Sequence, residues 1–225
     1  MSRILPILFN TEMVRAILDG RKTCTRRIVK PQWEECPACK YVHNEYIYDK
    51  LAENVYCARC GNPLLPERRA KYQPGDILYV RETWGEGYVE GTYIYKADDK
   101  LAELPEFKES SKLIYHPSIH MPKEAARIWL KVTDVRVERL QEITPQEAWK
   151  EGARCSCMSP VPDCSGNKTA FIDIWNSTIK KSDLDRYGWD ANPYVFVIEF
   201  IKIELRKPEL SGLIFNFLCF SKNYL

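Results

Sequence analysis

Two pairs of cysteines constrain this chain more than any other feature: Cys36-x-x-Cys39 and Cys57-x-x-Cys60, separated by seventeen residues. A two-residue gap lets both sulfurs of a pair reach one tetrahedral ion, and Gly61 after "CARC" permits the tight turn this needs. The spacing is that of a four-thiolate zinc site. Four thiolates leave the ion no open position, so the zinc expected on Cys36, Cys39, Cys57 and Cys60 is structural. Composition shifts to cysteine, tyrosine and proline around "KPQWEEC" and returns at "PERRAKYQPGD". Residues 31–67 are therefore read as an inserted zinc ribbon, a unit small enough to need its metal to fold.

The chain has 225 residues, enough for one domain carrying such an insertion. Its formal net charge is only +2, so contact with nucleic acid would have to come from a local patch and not from a global field. No apolar run follows a basic start at the N-terminus, and "GLIFNFLCF" is about half of a membrane span. The expectation is a cytoplasmic protein with no membrane partner, in a reducing location where nothing calls for disulfides.

Outside the ribbon, "ILPILF" reads as a short buried strand. "NTEMVRAILDG" reads as a helix capped by Asn10 or Thr11 and stopped by Gly20. "YQPGDILYVRETW" and "GTYIYKAD" read as strands. In "ARIWLKVTDVRVERL" the apolar positions slip by one past Asp134, which predicts a β-bulge there. "ITPQEAWKEG" carries a capping box, with Thr144 as N-cap, Pro145 at the first position and Glu147 closing it. "AFIDIWNSTI" is helical and "NPYVFVIEFIKIE" is a long final strand. Many short strands with few helices predict an α+β or mainly β domain, a small β-barrel with flanking helices.

The stretch "LDGRKTCTRR" packs Arg21, Lys22, Arg26 and Arg27 around Thr23 and Thr25 directly after the predicted helix end. A solvated helix end could hold some of that charge, whereas a pocket for phosphate or a nucleobase could use all of it. Tyr79, Trp84 and Tyr95 could supply stacking faces, and Glu82 could accept from a base amino group. Core packing for Trp84 and a surface pair with Arg81 for Glu82 stand as equal alternatives. Trp129 and Trp175 are read as core.

"GRKTCTRR" resembles the Gly-x-Lys-x-x-Thr-x-Arg signature of the ASCH (activating signal cointegrator homology) family, met here by Gly20, Lys22, Thr25 and Arg27. "GDILYVRETW", "ITPQEAWKEG" and "NPYVFVIEF" resemble the continuation in phage- and prophage-encoded members. The resemblance covers residues 1–30 and 68–205 as one discontinuous domain, with 206–225 a C-terminal tail beyond it. It implies a PUA-like barrel that binds RNA or a nucleotide or nucleoside, modified or not, in a basic cleft formed by Arg21, Lys22, Thr25, Arg26 and Arg27 with Glu82 and Trp84.

A much shorter bacterial branch hydrolyses the amide of N4-acetylcytidine with a lysine, a threonine and a glutamate. The resemblance carries these onto Lys22, Thr25 and Glu151. Hydrolysis is therefore the alternative to binding. The plain reading of the same residues is a Lys22–Glu151 salt bridge with Thr25 capping a turn. A protein-interaction module in phage assembly, using the ribbon as its contact surface, is the third reading.

Cys155, Cys157 and Cys164 share one loop but lack a fourth ligand nearby, so a second metal site there is a minor reading. Cys24 has no histidine close in sequence to activate it and is read as inert. His116 and His120 flank Pro117 and are read as loop residues.

Overall fold

Alternation in "ARIWLKVTDVRVERL" and the nearly unbroken apolar run of "NPYVFVIEF" produce the two longest strands, and the other elements are arranged about them. The structure is a computed structural model that describes residues 2–30, 36, 38–40, 46–49, 54–62, 70–87, 89, 91–98, 114–158 and 161–204. Its elements in chain order are β1 (Ile4–Leu8), α1 (Thr11–Leu18), β2 (Cys24–Ile28), β3 (Tyr46–Asp49), β4 (Asn54–Cys57), β5 (Ile77–Arg81), β6 (Trp84–Glu86), β7 (Tyr93–Tyr95), β8 (Trp129–Arg139), α2 (Pro145–Lys150), α3 (Gly166–Thr178), α4 (Leu184–Tyr187) and β9 (Tyr194–Ile203). The tail 206–225 lies outside the described residues, as does part of the ribbon 31–67.

Five strands form one mixed sheet in the order β1-β5-β8-β9-β2. β1 runs parallel to β5, and the other neighbours are antiparallel. Two hairpins, β3–β4 and β6–β7, stand as separate two-stranded sheets. The expected closure into a barrel is not present among the described residues, because β1 and β2 end the strand order and do not pair with each other. β1 is correspondingly less buried than expected: Ile4 is 49% and Leu8 38% exposed, as suits an edge.

Both faces of β9 are covered, which is why its sequence is apolar on consecutive positions. Ile198 and Phe200 face a core with Ile7, Phe9, Val14, Ile17, Leu78 and Leu130. Val195 and Val197 face a second core with Leu140, Ala148, Phe171 and Trp175 from α2, α3 and the turn before them. The bulge predicted at Asp134 is there: Val132 pairs with Phe200 and Asp134 with Glu199, leaving Thr133 as the extra residue. That single insertion keeps Val132 and Val135 in one core while turning Asp134, Arg136 and Glu138 to the opposite face.

The helix ends also follow their sequence signals. The Asn10 side chain accepts from the Met13 backbone N–H at 2.9 Å. Gly20 leaves α1 at φ +71°, where a side chain would be strained. The Thr144–Glu147 capping box opens α2 on Pro145.

Candidate functional site

Pairing of β2 with β9 and of β9 with β8 lines up three rows across the sheet: Cys24–Glu199–Asp134, Arg26–Val197–Arg136 and Ile28–Val195–Glu138. Residues in one row share a face, so Arg26 meets the acids of β8 on the side covered by α2. Arg26, whose side chain is fully buried, donates from Nε to Glu138 Oε1 at 3.1 Å, and its Nη2 also contacts Glu138. It lies 3.3 Å from Glu147 Oε2 and 3.3 Å from Glu151 Oε1. Arg136 holds Glu147 and Glu199 at 2.7 Å each and Glu138 at 3.2 Å. Burial works to lower the Arg26 pKa, but Glu151 and Glu138 outweigh it and raise it.

Lys22 and Glu151, 129 residues apart, meet in this network. Lys22 Nζ donates to Glu151 Oε2 at 2.6 Å and to the Glu151 carbonyl at 2.8 Å, and both residues are buried. Glycine at 152 makes the meeting possible. It stands at φ +89°, and a Cβ there would come within 3.0 Å of the Ala16 Cβ and 3.4 Å of the Lys22 Cβ. The network sets Lys22, Arg26 and Arg136 against Asp134, Glu138, Glu147, Glu151 and Glu199, an excess of carboxylate that repels phosphate.

Glu147 gives the network an acid sensitivity. Burial works to raise its carboxyl, but the Thr144 backbone N–H, Arg26 and Arg136 overcome that and hold it below the ordinary value. A folded-state pKa below the unfolded one contributes stability above the unfolded value of about 4.3, lost as pH falls through the folded value. Glu147→Gln is therefore expected to flatten the acid limb of stability measured by urea unfolding against pH. An acid limb as steep as that of the wild type would place the sensitivity elsewhere.

The opposite face of β2 carries Thr25 and Arg27, paired with Ile198 and Phe196. Thr25 is buried. Arg27 lines a cleft of about 530 Å³ together with Leu8, Lys30, Lys71, Tyr72 and Phe196. The cleft lies where β1 and β2, the two edges of the sheet, approach each other. Arg27 Nη2 spans that seam to the Leu8 carbonyl at 2.9 Å, and the Tyr72 hydroxyl donates to the Pro6 carbonyl at 2.7 Å. Among the described residues three cations and no carboxylate line the cleft. Arg27 is exposed, and the protein packed beside it lowers its pKa from the ordinary value by desolvation; arginine stays charged in proteins. Lys22 and Arg27 both lie against the ring of Phe9, at 5.6 and 5.3 Å, so Phe9 links the ion network to the cleft.

Arg27 is thus the only residue of the expected binding set that lines the cleft. Arg21 bonds Asp19 at 2.9 and 3.0 Å on the surface. Both Glu82 oxygens accept from Arg127, at 2.9 and 3.0 Å, and Arg81 instead donates to the Met121 carbonyl. Trp84 is buried against Tyr93 and His116, and its Nε1 has no partner among the described residues. Tyr95 lies under Arg127 and Tyr79 against Trp129, while Trp175 is core as expected. The Cys24 thiol is pushed up by burial and then by Glu151, which agrees with an inert role.

The aromatic walls, Tyr72 and Phe196, were missed by the sequence reading. Phe196 was within reach, since pairing "CTRRI" with "YVFVI" sets it opposite Arg27. No local signal marks Tyr72, which arrives by folding under β1.

In the ribbon the four cysteine sulfurs lie within 4.8 Å of one another and could hold a metal ion. Cys36 and Cys60 are 3.8 Å apart, Cys39 and Cys57 3.7 Å. Two matched turns build the cluster. The N–H of Lys40 bonds the Cys36 carbonyl at 2.8 Å and that of Gly61 the Cys57 carbonyl at 2.9 Å, and both residues have positive φ, +57° and +66°. Burial works to raise the Cys57 thiol, but backbone N–H groups of Cys60 and Arg59 aimed at its sulfur help bring it down to about 7. That direction favours the metal-binding thiolate.

Neither a family model, nor a curated protein, nor a solved structure matches the chain. Among the described residues no helix is long and apolar enough to cross a membrane.

Proposed function

We propose that the cleft between β1 and β2 binds a nucleotide or a short single-stranded RNA. Arg27, Lys30 and Lys71 meet phosphate, and Tyr72 and Phe196 flank the base. The observation that carries this is a cleft of about 530 Å³ whose charged side chains, among the described residues, are all cationic, beside aromatic walls. The resemblance to PUA-like ASCH proteins supports the same reading, with the β1–β2 seam bridged by Arg27 as the counterpart of a closed barrel.

For the ribbon metal we propose zinc. A tetrahedron with bonds of about 2.3 Å has edges of about 3.8 Å, and the paired sulfurs stand 3.7 and 3.8 Å apart. Zinc there would hold the two turns together and supply no chemistry to the cleft.

Fluorescence polarisation with labelled RNA oligomers and nucleoside monophosphates tests the cleft. Arg27→Ala is expected to weaken binding about tenfold and to lower the salt slope by about one. Arg21→Ala, outside the cleft, is expected to bind as wild type. Absence of binding at low salt, or an unchanged affinity in Arg27→Ala, would remove the reading.

Hydrolysis of N-acylated bases is the second reading, favoured by the Lys22–Glu151 contact at 2.6 Å. It needs Lys22 as a base toward Thr25, and an ammonium already donating twice to Glu151 has no lone pair to accept a proton. Binding is therefore the better reading. Chromatographic detection of cytidine after incubation with N4-acetylcytidine would reverse that preference.

A further inference from the structure

Cys155, Cys157 and Cys164 lie outside both the cleft and the ribbon, yet their three sulfurs converge within 4.8 Å of one another. Cys164 Sγ is 3.2 Å from Cys155 Sγ and 3.7 Å from Cys157 Sγ. The loop around them is built with care for their positions. Asn167, fully buried, accepts from the Cys155 backbone N–H at 3.0 Å. Its amide donates to the carbonyls of Val161 at 2.8 Å and Pro162 at 3.0 Å. One side chain thus ties both arms of the loop together. Residue 166 is glycine, and a Cβ there would sit 2.7 Å from the Cys155 Cβ and 3.6 Å from the Cys164 sulfur. The trio also lies at the N-terminal end of α3, where the helix dipole favours thiolate over thiol.

We propose that these three cysteines form a second metal site, a three-thiolate site for zinc or a comparably soft divalent ion. Three sulfurs drawn together are what a shared ion requires. The structure joins Cys155 and Cys157 as a disulfide, but that bond gives no reason for Cys164 to approach both, and under reducing conditions the pair is two free thiols. No fourth cysteine, histidine, aspartate or glutamate joins the group among the described residues, and residues 159 and 160 are serine and proline. Among the described residues nothing fills the fourth tetrahedral position, which is left to a ligand from outside the trio. Cys157 is exposed, so this position is reachable from solvent. The site differs in kind from the ribbon, whose four thiolates complete the coordination of their ion.

The test is the zinc content of the full chain, purified under reducing conditions without chelator and measured by elemental mass spectrometry. Cys155→Ser/Cys164→Ser is expected to carry one ion fewer per chain than its parent. Cys36→Ser/Cys57→Ser should lose a different one, so that the two losses add in the fourfold variant. The loop variant alone decides the proposal. If the ribbon held no zinc, the parent would carry one ion and the loop variant none, which still supports the loop site. Equal zinc in the parent and the loop variant overturns it.

Should the double variant fail to fold, two measurements on other proteins serve instead. Cys157→Ser is expected to shed its loop ion to a chelator faster than wild type. Alkylation of the denatured, unreduced wild type is expected to label all nine cysteines. Labelling of only seven, with a disulfide mapped to Cys155 and Cys157, overturns the proposal.

Discussion

Cys57→Ser is expected to cost the chain about one metal ion and to release the β3–β4 hairpin. Two-stranded hairpins are at best marginal in water, and this one stands as its own sheet, Tyr46–Asp49 against Asn54–Cys57. β4 ends on Cys57 itself, so the ligand set and the hairpin share a residue. Structural zinc binding contributes about 10–16 kcal/mol of apparent folding free energy in small zinc units at neutral pH. That is far more than one hairpin's backbone bonds can offer. Hydrogen exchange followed by mass spectrometry should show the amides of 46–57 losing protection in Cys57→Ser, or in wild type treated with chelator. The amides of β8 and β9 should keep theirs. Hairpin amides as slow in the variant as in wild type would mean that the hairpin holds itself and that the metal is incidental to it.

Glu151→Ala should destabilise the main domain by about 3–5 kcal/mol, the range for removing one partner of a buried ion pair. The Lys22 side chain is 1% exposed, and its Nζ donates to both the carboxylate and the carbonyl of Glu151. Removing the carboxylate leaves the buried ammonium with the Glu151 carbonyl and the Phe9 ring, and no other acid pairs with it among the described residues. Lys22→Met should cost less, because Glu151 keeps Arg26 at 3.3 Å. The pair Lys22→Met/Glu151→Met should recover part of the loss, since replacing both members with apolar groups of similar size is often near neutral. Urea unfolding measures all three variants, with an unchanged m-value showing that the same structure is lost. A Glu151→Ala protein within about 1 kcal/mol of wild type would mean that water reaches Lys22. That outcome would also reopen the hydrolytic reading, since an accessible, unpaired lysine could act as a base.

These two experiments bear on parts of the molecule that differ in how far sequence alone described them. The four-cysteine cluster was legible because a metal knuckle is local: two residues between cysteines and a residue at positive φ after them suffice to set its geometry. The helix caps at Asn10 and Thr144, the stop at Gly20 and the bulge at Asp134 were legible for the same reason, each depending on the few residues around it.

The site was legible in part. Lys22 and Glu151 were expected together and are together, but as a closed pair and not as the rim of an opening. Arg26 and Arg27, adjacent in sequence, separate completely in role. Strand alternation sends the first into an acid-rich interior and the second into a cation-lined cleft.

From sequence alone come the four-cysteine spacing, the two longest strands with the bulge between them, the caps of α1 and α2, and the identity of the charged residues near position 22. Only the tertiary structure decided which of those charges are used up within the protein and which face a cleft. Local signals act over a few residues of backbone. The partner of a charge is chosen by strand order and register, which here bring Glu138, Glu147 and Glu151 to Arg26 from more than 100 residues away and leave Arg27 to Phe196 and Tyr72.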